Sequence, residues 1–174
     1  MSQCLFGTFL EVEIVAESKL HLWLNNLLDA CNGSEGSEDA VKAVAELTGG
    51  PVTFTEEDFA DHLRIHHPDI PARIELEDGY LNVHASLAIF SLTFVFTAEA
   101  DPSGKMAYLH QERGTAIKNF LDIEGMCERV GALNYDHSNR TISLDLSRMP
   151  RDVNLKAFEI KKGGMEVDLR EEPA

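Results

Sequence analysis

Between Phe9 and Ala16 polar and apolar residues alternate, with Leu10, Val12 and Ile14 on one face and Glu11, Glu13 and Val15 on the other. This is the period of a half-buried strand. After Ser18, a residue suited to cap a helix, the period lengthens, and Leu20, Trp23, Leu24, Leu27, Leu28 and Cys31 form one apolar stripe. That stripe can pack a core or present a surface to a partner. The polar stretch NGSEGSE over 32–38 reads as a linker. A short, weakly apolar helix follows, capped by Ser37 and stopped at Gly49-Gly50. In VTFTEEDF, Thr55 can cap toward Asp58, while Phe54 and Phe59 occupy the two positions of a hydrophobic staple. The pattern predicts a third helix to about His66, ended by Pro68 and Pro71.

From there the pattern is that of strands. Arg73–Leu76 and Tyr80–Val83 flank Asp78-Gly79, a favoured two-residue hairpin turn. Leu81, Val83, Ala85, Leu87 and Ile89 are apolar at odd positions, then the parity changes to Phe90, Leu92, Phe94, Phe96 and Ala98. Side chains alternate strictly along an undisturbed strand, so the change predicts a bulge or bend near Ser86–Ile89. Ser86–Ala98 is read as one long strand, roughly 40 Å at about 3.3 Å per residue. Asp101-Pro102-Ser103-Gly104 supplies a type I turn and Lys105–Arg113 the returning strand. After Gly114 and Thr115, Ile117, Phe120, Leu121, Cys127 and Val130 predict one helix ending near Gly131, with Gly125 its weak point. Two more hairpins turn at Asp136–Asn139 and Gly163-Gly164. The whole is expected to be one α+β domain over 1–174, helix-rich in 1–50 and β-rich in 51–174. A bent antiparallel β-sheet of long hairpins would pack on amphipathic helices.

Composition narrows the partners. The 174 residues include 44% hydrophobic ones, enough to bury a core, and 30 acidic against 15 basic residues give a net charge of −15. Such a chain repels nucleic acid and anionic bilayers at long range. Cys4, Cys31 and Cys127 are odd in number and lack metal or redox spacing. The beginning of the chain has no basic, apolar leader, and Ser86–Ala98 is too short and too rich in Ser and Thr for a membrane helix. The expectation is a cytoplasmic protein with no integral membrane segment.

Candidate chemistry is sparse. Asp58, His62 and His66 are four apart and share one helix face, with His67 beside them. Catalytic zinc motifs of this kind carry a Glu next to the first histidine, and here Asp61 precedes His62 instead, so a solvated polar face is preferred and no metal is expected. His84, His110 and His137, with Asp145 and Glu159, fall in or beside strands and show no pairing by spacing. No nucleophile elbow, phosphate loop or dinucleotide fingerprint occurs, and no cofactor is expected.

The apolar face Phe90, Leu92, Phe94 and Phe96 can make a dry core or the wall of a cavity. Together with VTFTEEDFADHL, IELEDGYLNVHA, the helix after Gly114, NRTISLDLSRMP and LKAFEIKKGGMEVDL, it resembles small bacterial proteins of the tubular lipid-binding type over 52–169. That resemblance implies a sheet wrapped on a long helix, and a lipid or other apolar molecule held against Phe90, Leu92, Phe94 and Phe96. The leading expectation is therefore a non-enzymatic domain binding a hydrophobic ligand. The alternatives are a module that homodimerises or docks a partner without ligand, and an enzyme with a site assembled from distant His and carboxylate residues.

Overall fold

The computed structural model describes residues 17–33, 37–119 and 122–173; the alternating segment Phe9–Ala16 and Cys4 lie outside them. Helix α1, Lys19–Asn32, begins where the Ser18 hydroxyl accepts the His21 N–H at 3.1 Å. Helix α2, Glu38–Leu47, starts at the expected Ser37 cap and buries Ala40, Ala43, Val44 and Leu47. Its small residues permit close approach to α1. A Cβ on Gly33 would stand 2.2 Å from that of Ala40.

Val52–Thr55 forms strand β1, which the sequence pattern did not separate from the helix start that follows. Helix α3, Glu56–His66, opens with the anticipated reciprocal box: Thr55 Oγ1 accepts from the Asp58 N–H, and Asp58 accepts from the Thr55 N–H at 2.8 Å. The staple is present as well, the Phe54 and Phe59 rings meeting edge to face at 6.5 Å.

Strands β2, Ala72–Glu77, and β3, Tyr80–Leu87, turn at Gly79 with φ +83°. Next comes β4, Phe90–Ala100, and here the expected single strand Ser86–Ala98 is corrected. The chain reverses at Ala88-Ile89, so that Leu81 faces Phe96, Val83 faces Phe94, Ala85 faces Leu92 and Leu87 pairs with Phe90. Residues directly opposite on adjacent strands share a face, which is why odd apolar positions before the turn and even ones after it form one continuous surface. The parity change marks a turn and not a bulge. Ala88 takes φ +48°, at a cost of about 1 kcal/mol for a residue with a side chain. The register shift that does occur lies farther along, where Val95 and Phe96 of β4 meet β5, Met106–Arg113.

The helix expected after Gly114 is also divided. A single 3-10 turn covers Ile117–Asn119, and a new helix α4, Ile123–Arg129, starts at Asp122, whose side chain accepts the Gly125 N–H at 3.0 Å. A Cβ on Gly125 would fall 2.2 Å from Asp122 Oδ2, so a larger residue there would displace the capping carboxylate. The remaining strands are β6, Leu133–Asp136; β7, Thr141–Asp145; β8, Val153–Lys161; and β9, Gly164–Glu171. Both closing hairpins fall where their turn residues indicated.

The architecture is α+β with two antiparallel sheets, ordered β2-β3-β4-β5-β7-β6 and β1-β9-β8. Hairpin tips join them: the Gly79 N–H donates to Ile160 O at 2.8 Å, the Gly163 N–H to Leu76 O at 3.0 Å and the Lys162 N–H to Asp78 Oδ1 at 2.9 Å. One core packs α1 and α2 on the smaller sheet around Phe54, Val153 and Leu169, and a second packs Phe94, Phe96, Ile123, Tyr135 and Ile160 on the larger. Phe59 and Met165 touch both. Among the described residues no helix is long and apolar enough to cross a membrane.

Phe54 has no exposed surface. Phe54→Ala is expected to lower unfolding free energy by about 3–5 kcal/mol, and Thr55→Ala, which removes only the cap, by about 1 kcal/mol. Urea denaturation of the two variants gives both values; equal losses would remove the distinction between anchor and cap.

Candidate functional site

Two places on the molecule carry the ingredients of a site, and α1 contributes to both. The first is an apolar cavity of about 330 Å³ between α1 and the inner faces of the two sheets. Leu20, Trp23, Leu24 and Leu27 line it from α1 because they recur at i, i+3, i+4 and i+7, one stripe of a helix. Opposite them stand inward residues of β5, β7, β8 and β9, among them Ala107, Leu144, Phe158 and Met165. Among the described residues no charged side chain contributes to the wall. A neighbouring hollow of about 290 Å³ shares Leu24, Leu27, Leu133 and Leu144 with it and adds Leu28, Met126, Val130 and Arg129 from the α1 and α4 surfaces. The apolar tract therefore continues outward to a rim bearing an exposed guanidinium.

The four residues expected to form a ligand wall are distributed otherwise. Phe94 and Phe96 are 3% and 2% exposed within the second core, Leu92 is half-buried, and Phe90 is 60% exposed at the hairpin tip beside Ile89. Of these, Phe94 borders a separate hollow of about 400 Å³ with Leu63, Ile70, Pro71 and Ile74. The 330 Å³ cavity is lined instead from several strands, one to three residues from each.

The second place is a histidine cluster. His62 and His66, one turn apart on α3, meet His21 from the first turn of α1, and one ring nitrogen from each lies within 4.8 Å of the others. The His21 and His66 rings stack at 3.7 Å between centroids, and His62 and His66 are 5.2 Å apart. Ser18, 4% exposed, holds the group: its hydroxyl lies 3.1 Å from His62 Nδ1, and its N–H donates to His66 Nε2 at 3.2 Å. Burial, then the neighbouring imidazoles His67, His66 and His21, push His62 down to about 4. His66 is lowered by the same two causes, with Glu17 opposing them. Asp58, grouped with these histidines by spacing, is committed elsewhere, to the helix cap and to Lys19 at 3.6 Å.

The strand histidines do find partners. His84 lies between Thr93 Oγ1 at 3.1 Å and Glu75 at 3.3 Å; His110 lies between Thr141 Oγ1 at 2.8 Å and Glu99 at 2.7 Å. In each triplet the threonine is directly across from the histidine and the glutamate is diagonal on the other neighbouring strand. Two copies of one pattern identify it as cross-strand pairing on the polar face of the larger sheet. His137 sits 3.3 Å from Glu124, Asp145 caps the turn at Ser147, and Glu159 pairs with Lys161 at 3.2 Å. Burial, then Asp145, pushes the Cys31 thiol up to about 11, which makes it a poor nucleophile at neutral pH.

A histidine held neutral in the folded chain, but able to take a proton when unfolded, stabilises the fold above the unfolded value near 6.5. That contribution is lost as pH falls toward 4, because only the unfolded state gains the proton. The melting temperature is expected to fall from pH 7 to pH 5, and to fall less steeply in His62→Gln; parallel pH profiles for the two chains would refute the assignment.

No family model, curated protein or solved structure matches this chain.

Proposed function

We propose that the protein is a non-enzymatic binding domain for a small hydrophobic or amphiphilic molecule, held between α1 and the two sheets. The observation that carries this reading is the uncharged 330 Å³ cavity. Its volume falls in the range of ligand pockets, about 300–1,000 Å³. At roughly 30 Å³ for each water-sized group, it holds on the order of ten such groups. An apolar occupant takes this wall out of water, which is favourable by roughly 25 cal/mol per Å² of apolar surface covered. The outward tract ending at Arg129 favours a chain with an anionic end, whose tail reaches inward past Leu24 and Leu27. The resemblance to tubular lipid-binding proteins suggests such a ligand, although the cavity wall uses α1 and several strands in place of Phe90, Leu92, Phe94 and Phe96.

Trp23, the single tryptophan of the chain, lines the cavity and reports on it. Titration with decanoate is expected to shift Trp23 emission in a saturable way. Ala107→Phe, which places a ring in the cavity, is expected to weaken the response at least tenfold while the protein stays folded by circular dichroism. Unchanged emission up to the solubility limit, or an unaffected Ala107→Phe variant, counts against ligand binding.

A second reading rests on the β3–β4 tip, where Ile89 and Phe90 are 91% and 60% exposed. Exposed apolar pairs at a turn serve contact with another surface, here a second copy of the chain. Sedimentation equilibrium is expected to show a concentration-dependent dimer that Ile89→Ser with Phe90→Ser abolishes; a monomer at all concentrations removes this reading.

A further inference from the structure

We infer that His21, His62 and His66 form a binding site for one borderline divalent transition-metal ion of the zinc class, and that the ion ties α1 to α3. The donors are already gathered: one nitrogen from each ring lies within 4.8 Å of the others. Around tetrahedral zinc, with bonds of about 2.0–2.1 Å, imidazole nitrogens stand roughly 3.4 Å apart. Closing that gap requires the His21 and His66 rings to unstack and turn their in-plane lone pairs inward, a movement open to three rings that are only half-buried. Two of the donors come from one helix face at i and i+4. The third comes from 41 residues earlier in the chain, so the site forms only when α1 docks on α3.

The donor chemistry selects the metal. Three imidazoles with no carboxylate suit zinc, cobalt, nickel or copper, whereas magnesium and calcium take oxygen ligands. Asp58, one turn before His62 on the same helix, is held by the Thr55 N–H and Lys19. Ser18 acts as the outer partner: its hydroxyl at His62 Nδ1 fixes that ring and leaves Nε2 for the ion. His66 Nε2 already presents its lone pair, to the Ser18 N–H, and the ion replaces that N–H. Three protein ligands leave a fourth position for water, as in sites that are not fully closed by protein. The chain's net charge of −15 draws divalent cations toward it.

The test uses the full chain freed of metal with a chelator. Cobalt(II) is added while the visible absorption is followed, and zinc(II) is then titrated in competition with a chromophoric chelator. One ion per chain is expected, with micromolar or tighter dissociation. His21→Gln, His62→Gln and His66→Gln should each weaken binding at least tenfold, whereas His67→Gln and Asp58→Asn should leave it within threefold. The wild-type chain provides a reading that does not depend on a variant folding: of its seven histidines, zinc should move the imidazole NMR signals of His21, His62 and His66 more than those of the other four. Absence of saturable binding below 1 mM overturns the site, as does binding that survives His21→Gln or that moves a different set of imidazoles. A failure of the decanoate titration would leave this result untouched, because no histidine lines the apolar cavity.

Discussion

The packing of Phe54 sets the rest of the arrangement. Its ring has no exposed surface and meets Trp23 of α1 edge to face at 5.4 Å and Phe59 of α3 at 6.5 Å, while the Lys19 ammonium stands 5.4 Å above it. Its backbone belongs to β1, opposite Met165 of β9. One side chain thus fixes two helices against the smaller sheet. Moving it would shift α1 relative to α3, and both candidate sites depend on that relation. Trp23 and Leu24 roof the apolar cavity from one side of α1, and His21, a neighbour in the same turn, reaches His62 and His66 from another.

The second constraint is that two antiparallel sheets of unequal width share an interior. They are tied at the β2–β3 and β8–β9 tips by backbone hydrogen bonds, and Glu56 of α3 adds a bond of 2.8 Å to the Leu76 N–H. Near those ties the space fills with Leu76, Phe94, Phe96 and Ile160. Farther along, β5 presents Ala107 where the second core has phenylalanines, and there the interior opens into the cavity. A small residue at that position leaves space that a phenylalanine would fill, consistent with the sensitivity of close-packed interiors to volume. The buried Gln111 closes the other end of β5. It donates to Arg113 O and Thr115 O at 3.2 and 2.7 Å and accepts the Ile117 N–H at 3.1 Å, so the loop leading to α4 is satisfied in a largely apolar setting.

Locally determined features were legible in the sequence. The Thr55–Asp58 box, the Phe54–Phe59 staple, the Ser18 and Ser37 caps and the turns at Gly79, Gly104 and Gly163 each depend on residues within a few positions of one another. The turn at Ala88-Ile89 was not legible because neither residue favours a turn. Only its parity signature showed, and a bulge gives the same signature. The break at Asp122 was hidden by an apolar period that continues through it. The partition into two sheets is a matter of pairings between β1 and β9, residues more than a hundred positions apart, for which no local pattern exists. The sites divide the same way. The i and i+4 spacing pointed to His62 and His66, but His21 was invisible to it. The longest apolar run drew the expected ligand wall to Phe90–Phe96, whereas the cavity is assembled from a few residues on each of several elements.

Sharing α1 has a physical consequence for the two sites. An apolar molecule entering the cavity passes beside Leu24 and Leu27, so any movement of α1 away from the sheets widens its path. An ion on His21, His62 and His66 opposes the same movement at the opposite end of the helix, near its first turn, while the Leu24–Leu27 segment toward α4 stays free of that tether. Because binding free energies are state functions, whatever one occupant does to the affinity of the other is returned in equal measure. If α1 must lift as a rigid unit, the metal slows entry and exit without changing which ligand fits. If it frays from its C-terminal end, at the Gly33 side, the two sites act independently. The stack of His21 on His66 and the Ser18 contacts anchor the first turn even without an ion, while the Leu24–Leu27 segment borders the opening beside α4.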